Sequence, residues 1–338
     1  MQPDEFDFDV AVIGGGSGGY AAARTTAAAG LRTVVIEAAR EIGGLCILRG
    51  CMPTKALLHA SEVLHHARHS AIHGVRTREV SFDFSEVMAR KDHLIKEFAA
   101  YRSEQLTSGK FKFIHARARF LDAHTVSLSN GEKLSARYFV LSTGSVIAPP
   151  PLPQLESVGY LTSDDALSLS RLPKSMIVLG GGAVGVEFAQ FFARLDVEVT
   201  LVQRSEHILK EFDIDAAVEL EKVLQREGVR LFHNTRLQDA WRDGGSKGVS
   251  FDHKGKTIRV AADEILFALG RIPNTANLGL EKAGVATDFH RIVTNTQMQT
   301  TVPHIFAAGD CTGLHEIVHL AIQQAEVAAY NIIHPTRK

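Results

Sequence analysis

A glycine-rich turn occurs twice in this chain, at the same point of the same local pattern, and no other feature constrains the fold as much. The first copy follows a short apolar run, Phe8 to Ile13, and reads Gly14-Gly15-Gly16-Ser17-Gly18-Gly19, so that Gly14, Gly16 and Gly19 satisfy G-x-G-x-x-G. An Ala-rich stretch up to Gly30 predicts a helix with that glycine at its end, and Arg32 to Ile36 predicts a second strand ending on Glu37. Together they form a βαβ unit. Its glycines let backbone N–H groups approach a pyrophosphate at a helix N-terminus, and the terminal acid accepts from a ribose hydroxyl. The second copy begins 166 residues later: a strand from Met176 to Leu179, glycines at Gly180, Gly182 and Gly185, and a strand from Val197 to Val202. Two dinucleotide sites in one chain are the expectation.

The copies differ where the ribose is read. Gln203 follows Gly180 by 23 residues, as Glu37 follows Gly14, and an amide offers no carboxylate to a 2′-hydroxyl. Arg204, with Arg194 nearby, suits a 2′-phosphate instead, which favours NADPH over NADH. The plainer alternative is that Arg204 is a solvated loop charge.

At 338 residues, 45% of them hydrophobic, the chain exceeds what one core serves. The Pro-rich stretch Ala148 to Pro153 reads as a rigid connector. Before it, Phe84 to Gln105 has helical spacing closed by Ser108-Gly109, and Phe111 to Leu141 reads as a meander with a hairpin turn at Asn130-Gly131. Ile305 to Asp310 is a strand ending on an acid, placed for a ligand hydroxyl or as an N-cap, with a helix expected from Leu314. A net charge of −1 argues against nucleic acid. No apolar run reaches the ~18 residues a membrane span needs, and the acidic start Met1 to Asp9 is unlike a secretory signal. Three cysteines fit a reducing compartment, and the expected location is cytoplasmic.

Two of those cysteines are close in sequence. Cys46 and Cys51 lie in Gly43-Gly44-Leu45-Cys46-Ile47-Leu48-Arg49-Gly50-Cys51-Met52-Pro53-Thr54-Lys55. A straight helix holds i and i+5 out of register, so a disulfide between them needs a bend, for which Gly43, Gly44 and Gly50 supply freedom. Pro53 suits the first turn of a helix through Lys55 to Ala60, with Cys51 near its N-terminus and Arg49 adding positive charge. A dithiol that opens and closes is the reading, against two core cysteines or half a zinc site. No second cysteine pair exists to complete such a site, and no metal is expected.

The run from Gly43 to Lys55, the doubled glycine turns, Ser142-Thr143-Gly144, Ala268-Leu269-Gly270-Arg271 and Ala308-Gly309-Asp310, in this order, resemble the FAD-dependent pyridine nucleotide-disulfide oxidoreductases, the group of glutathione reductase, dihydrolipoamide dehydrogenase and mercuric reductase. The resemblance implies an α/β chain with two Rossmann-like dinucleotide-binding domains of three-layer ββα build. The FAD domain would be discontinuous, 1–150 and 275–338, with an NAD(P) domain inserted at 151–274. It implies that electrons pass from NADPH, or less expectedly NADH, to FAD, then to a Cys46–Cys51 disulfide and a disulfide or related substrate. Cys46 would attack substrate, Cys51 would face the flavin, and Lys55 paired with Glu187 would serve the flavin, as a buried cation needing a carboxylate. FAD contacts are implied for Gly14, Gly16, Ser17, Gly19, Glu37, Gly44, Thr143, Gly144, Gly309 and Asp310, the last on the ribityl chain. The helix after Leu314 would aim at the flavin. Pyridine nucleotide contacts are implied for Gly180, Gly182, Val184, Gly185, Gln203, Arg204 and Gly270.

There are departures from the family pattern. Leu45 stands where a threonine is usual, and Ile47-Leu48-Arg49 replaces the commoner Val-Asn-Val, so the substrate does not carry over. A C-terminal interface domain of roughly a hundred residues, with a His-Glu acid/base pair and the dimer contact, would follow Lys338. The expectation is therefore the core of a longer enzyme, monomeric by itself. Mercuric reductase is the less expected branch, since no vicinal C-terminal cysteine pair is present. His315 and His319, read as one turn apart, are candidate bases against a core or solvated reading. The rival from another class is a non-turnover flavoprotein or a dithiol redox sensor or metal binder.

Overall fold

A computed structural model of the protein describes residues 6–335. The residues Met1 to Glu5 of the acidic start, and Thr336 to Lys338 at the close of the second expected FAD segment, lie outside them. The chain is mixed α/β and divides into two compact units, one of 1–48, 96–146 and 271–338, the other of 49–95 and 147–270. The expected partition differs over 49–95, which belong with the second unit because Leu57, Leu64 and Met88 share a core with Phe188, Phe191 and Phe192. The division falls inside the long helix Phe84–Thr107.

In the first unit the strand Phe8–Ile13 lies between Thr33–Glu37 and Lys133–Leu141, parallel to both, and Lys112–His115 adds at the edge. Lys133–Leu141 is nine residues long and uses its free edge twice. Its start pairs antiparallel with Thr125–Leu128, and its end, Phe139 to Leu141, pairs parallel with Ile305–Ala307. The stretch from Phe111 to Leu141 is therefore no single meander: Lys112–His115 joins the parallel sheet, and the antiparallel part starts at Ala118–Phe120.

Period-two alternation sorts the sheet's faces. Val10 and Val12 point toward Ala21, Ala22, Ala325 and Ala328 of the helices Ser17–Ala28 and Val318–Ile333. Ala11 and Ile13 point toward Phe120, Val126 and Leu134 of the antiparallel strands. Alanine on both helices and Gly18 facing Ala321 allow close packing.

The second unit repeats the plan. Ser175–Leu179 lies between Glu198–Val202 and Glu264–Phe267, with Arg230–Phe232 outermost, all parallel. Met176 and Val178 pack on Phe188 and Phe192 of the helix Ala183–Arg194, while Ile177 and Leu179 pack on Val249 and Phe251 of an antiparallel meander over 235–262. Each unit thus has three layers, helix, parallel sheet and antiparallel strands, as a Rossmann-like ββα fold requires. Among the described residues no helix is long and apolar enough to cross a membrane.

Candidate functional site

Both glycine turns are built the same way. Gly14 and Gly180 each adopt φ +105°, and a Cβ there would lie 2.2 Å from the Ser142 carbonyl oxygen or 2.3 Å from that of Ala268. A Cβ on Gly19 or Gly185 would lie 1.8 or 1.9 Å from the carbonyl oxygen of Gly14 or Gly180. Gly16 and Gly182 cap their helices in extended conformation without a side-chain cap, leaving first-turn N–H groups for a ligand. Ser17 opens the first helix, and Val184, 42% exposed, lies in the first turn of the second.

Glu37 and Gln203, at the ends of the second strands, share one bond to their turns and differ in the other. Glu37 accepts from the Gly15 N–H at 2.6 Å through one oxygen and from the Ala39 N–H at 2.7 Å through the other. Gln203 accepts from the Gly181 N–H at 3.0 Å and donates to the His207 carbonyl at 3.2 Å. An amide can hold both ends of a loop where a carboxylate can only accept. Arg204 is exposed on that loop. Arg194 is unavailable to a phosphate. Its guanidinium makes two hydrogen bonds to Glu227, at 2.9 and 2.8 Å, with both side chains largely buried.

In the first unit, Gly44 approaches the turn so closely that a Cβ would lie 2.7 Å from the Gly16 Cα. Thr143 and Gly144 are locked to Asn274: the Thr143 hydroxyl donates to its carbonyl at 2.7 Å, and the Asn274 N–H donates to the Gly144 carbonyl at 2.9 Å. Gly309 (φ +83°) precedes Asp310, whose carboxylate accepts from the Ser145 hydroxyl at 2.7 Å. Arg271 in turn donates to that hydroxyl at 2.8 Å and to the Ser145 carbonyl at 2.9 Å. Sequence reading missed Ser145 and Arg271 as the pair that aims Asp310; strand pairing between 145–147 and 271–273 brings them together, and no local motif encodes it. Glu316 is exposed as a residue while its carboxyl is desolvated, which with the Asp310 charge raises it above the ordinary range; Arg271 opposes.

The helix expected from Leu314 starts at Val318, four residues later, after a 3₁₀ turn over Asp310–Thr312. His315 precedes it and His319 is its second residue, so they are not stacked on one helical turn, and both are exposed.

Cys46 sits half-buried in the short helix Gly44–Leu48 of the first unit, and Cys51, exposed, opens the 18-residue helix Cys51–Arg68 of the second. Gly43 (φ +155°) and Gly44 (φ +74°) use the freedom expected of them, whereas Gly50 has φ −131°. Arg49 pairs with Asp164 at 3.9 Å. Lys55 and Glu187 form an ion pair between the Cys51–Arg68 and Ala183–Arg194 helices, but the Lys55 side chain is 60% exposed, so the expected buried cation is a wet one. Gly270 (φ +115°) accepts from the Ala148 N–H at 3.1 Å. Another feature unseen in the sequence is Arg102. Its guanidinium lies 4.3 Å above the Tyr20 ring, with Nε and Nη1 buried and without a hydrogen bond among the described residues. Burial pushes it below its ordinary value, and Cys46 is within its electrostatic reach.

Two Rossmann-like units with matched glycine turns, one bonded by a carboxylate and one by an amide, together with a closely spaced cysteine pair, define the class of α/β protein. The chain belongs to the pyridine nucleotide-disulphide oxidoreductase family, which its residues 8–325 match. That family is FAD-dependent, with a pyridine nucleotide as electron donor. The chain is 34% identical to the mercuric reductase of Lysinibacillus sphaericus over 98% of its own length and 60% of that protein's. It is 33% identical to the dihydrolipoyl dehydrogenase of Bacillus subtilis (strain 168), covering 95% and 71%. Among solved structures it is similar to the HOCl-induced flavoprotein disulfide reductase RclA from Escherichia coli, with TM-score 0.85, 26% identity, and coverage of 98% and 72%. The chain thus spans less than two thirds of the mercuric reductase it matches.

Proposed function

We propose that this chain forms the nucleotide- and dithiol-bearing part of an oxidoreductase. It draws electrons from a pyridine nucleotide through FAD to a Cys46–Cys51 disulfide, and from there to a disulfide substrate. One observation carries the reading: a turn with the same three glycines is built twice in a chain that also carries the cysteine pair, with a carboxylate bonded to the first copy and an amide to the second. A single-nucleotide protein has no use for the second turn.

The first turn fits FAD. Its glycines bring backbone close where a Cβ would clash, its helix start has no side-chain cap, and Glu37 stands beside it. The residues that would hold FAD are Gly14, Gly16, Ser17 and Gly19 at the pyrophosphate, Glu37 at the adenosine ribose, Asp310 at the ribityl hydroxyls, and Gly44, Thr143, Gly144 and Gly309 around them. When bound, FAD supplies two-electron exchange between the pyridine nucleotide and the cysteine pair. In the second unit Gly180, Gly182, Val184 and Gly185 would hold the nucleotide's pyrophosphate, Gln203 and Arg204 its adenosine ribose, and Gly270 its other end. Arg204 favours NADPH.

The thiol chemistry belongs to the chain. The Cys46 thiolate attacks one sulfur of the substrate disulfide; the substrate S–S bond breaks and the first thiol leaves with a proton. The Cys51 thiolate then attacks the Cys46 sulfur of the mixed disulfide, closing the Cys46–Cys51 bond and releasing the second thiol. The two protons and two electrons of the dithiol end on the products. Cys51 at a helix N-terminus is favoured as thiolate. Lys55, four residues along the same helix face, adds a positive charge that Glu187 orients.

The test is purification followed by release of bound cofactor and mass spectrometry of iodoacetamide-labelled cysteines. FAD should be released in a one-to-one ratio, and NADPH treatment should open Cys46 and Cys51 to labelling together. FMN, absence of flavin, or a cysteine pair whose labelling ignores NADPH defeats the reading.

A further inference from the structure

The loop after the strand Glu198–Val202 is held at every residue from 205 to 209. The Ser205 carbonyl accepts from the Asn234 N–H at 3.0 Å, and the Glu206 carbonyl accepts from His233 Nδ1 at 2.7 Å. The His207 carbonyl accepts from Gln203; the Ile208 N–H donates to a Glu221 carboxylate oxygen at 2.9 Å; and the Leu209 N–H donates to the Gly181 carbonyl at 2.7 Å. Two of these residues, Leu209 and Asn234, sit at φ +50°, a left-handed conformation that costs non-glycine residues energy and persists where surrounding contacts impose it. Arg204, by contrast, makes no hydrogen bond or ion pair among the described residues. The fold fixes the loop's backbone and leaves this one guanidinium available.

Glu221 and His233 come from separate elements, the helix Ile214–Arg226 and the turn after the strand Arg230–Phe232. His233 Nδ1 lies 3.6 Å from the same Glu221 oxygen that holds Ile208, and both side chains are largely buried, 22% and 12% exposed. Because its partner at Glu206 is a carbonyl, which only accepts, Nδ1 carries the proton, and the carboxylate beside it stabilises that arrangement. The His233 carbonyl is itself tied by His253 Nδ1 at 2.8 Å.

We propose that Glu221 and His233 are positioning residues for nucleotide selection: they fix the loop backbone at Glu206 and Ile208, so that Arg204 is presented from a pre-ordered loop to a 2′-phosphate on the adenosine ribose. Neither residue touches the nucleotide. Their contribution is the ordering that a loose loop would undergo only on binding, which weakens affinity when it falls on the binding step. The inference rests on the reading that the Gly180 turn holds a pyridine nucleotide selected through Arg204.

The experiment measures, by calorimetric titration of the purified chain, binding of adenosine 2′,5′-bisphosphate and of 5′-AMP, which lacks the 2′-phosphate. His233→Leu and Glu221→Ala each remove one tether. The conservative His233→Asn keeps a donor near the Nδ1 position, and Glu221→Gln keeps an acceptor for Ile208. Wild type should prefer the bisphosphate. His233→Leu and Glu221→Ala should weaken it about tenfold, the scale of re-ordering one or two backbone residues, while changing 5′-AMP affinity by less than about twofold on the same scale. The conservative variants should recover most of the difference. Equal weakening of both ligands would reduce Glu221 and His233 to a general structural role and overturn the proposal, as would an unchanged preference in both deletion variants. A wild type without preference would overturn it together with the Arg204 reading, which separates that failure from the other two.

Discussion

Two arginines close in sequence to the second nucleotide turn should give opposite phenotypes. Arg194 was a candidate for the 2′-phosphate, but the structure spends its guanidinium on Glu227, which also accepts from Gln190 at 3.1 Å. The side chains of Arg194 and Glu227 are 14% and 9% exposed. Arg194→Leu therefore leaves a buried carboxylate with only a neutral donor, a loss on the order of 3 kcal/mol. In a unit of this size that lowers the melting temperature by about 6 to 12 °C, without altering the preference between NADPH and NADH. Arg204→Ala removes an exposed side chain that holds nothing in the fold, so stability should change by no more than about 0.5 kcal/mol. On the proposed reading it also removes a charge-assisted bond to a 2′-phosphate, and the NADPH to NADH ratio of kcat/KM should fall about 10- to 100-fold. Differential scanning calorimetry and flavin-reduction kinetics on the same two preparations decide the matter. If Arg194→Leu melts like wild type and loses NADPH preference, the assignment of the two arginines is the wrong way round.

Three further outcomes follow from other parts of the molecule. Gly19→Ala places a Cβ 1.8 Å from the Gly14 carbonyl oxygen, so the purified variant should carry little or no flavin, read as the absorbance ratio of flavin to protein. Burial pushes the Cys311 thiol up to about 11, so at pH 8 iodoacetamide should label Cys46 and Cys51 of the reduced protein and reach Cys311 only on unfolding, as peptide mass mapping would show. The Asp7 carboxyl is held below its ordinary value chiefly by the Ser135 N–H at 2.7 Å and the Ser135 hydroxyl at 2.9 Å. A depressed acid stabilises the fold above its unfolded value of 3.8 and loses that contribution as pH falls through the lower folded value. Urea midpoints of wild type and Asp7→Asn should therefore differ at pH 7 and converge toward pH 3.

Much of the fold was legible because its signals are local. The strand Phe8–Ile13, the turn at Gly14 and the strand ending on Glu37 each carry their own period or backbone requirement, and the second copy repeats them at constant spacing. What escaped depends on residues far apart in the chain. Whether Arg194 meets a ligand or Glu227 is decided by where the helix Ile214–Arg226 ends, and whether Asp310 is aimed depends on Ser145, 165 residues earlier. The helix expected from Leu314 starts four residues later because 314–317 stay irregular after the Gly313 left-handed turn, with Ile317 extended at the helix's N-cap. Segment 49–95 followed the first turn in sequence but packs by its leucines with the second unit's phenylalanines, a long-range preference no window reveals.

The double use of one edge of Lys133–Leu141 has a consequence for the order in which the protein is made. Phe139, Val140 and Leu141 await Ile305–Ala307, which a ribosome produces more than 160 residues later. Until then a bare apolar edge faces water, the kind of surface on which strands of other chains add. Synthesis at roughly 5 to 20 residues per second leaves that edge open for about 8 to 30 seconds. The parallel sheet of the second unit can close within that interval, because its last strand, Glu264–Phe267, emerges first. A nascent chain stalled between residues 270 and 305 would therefore hold one finished sheet and one sticky one.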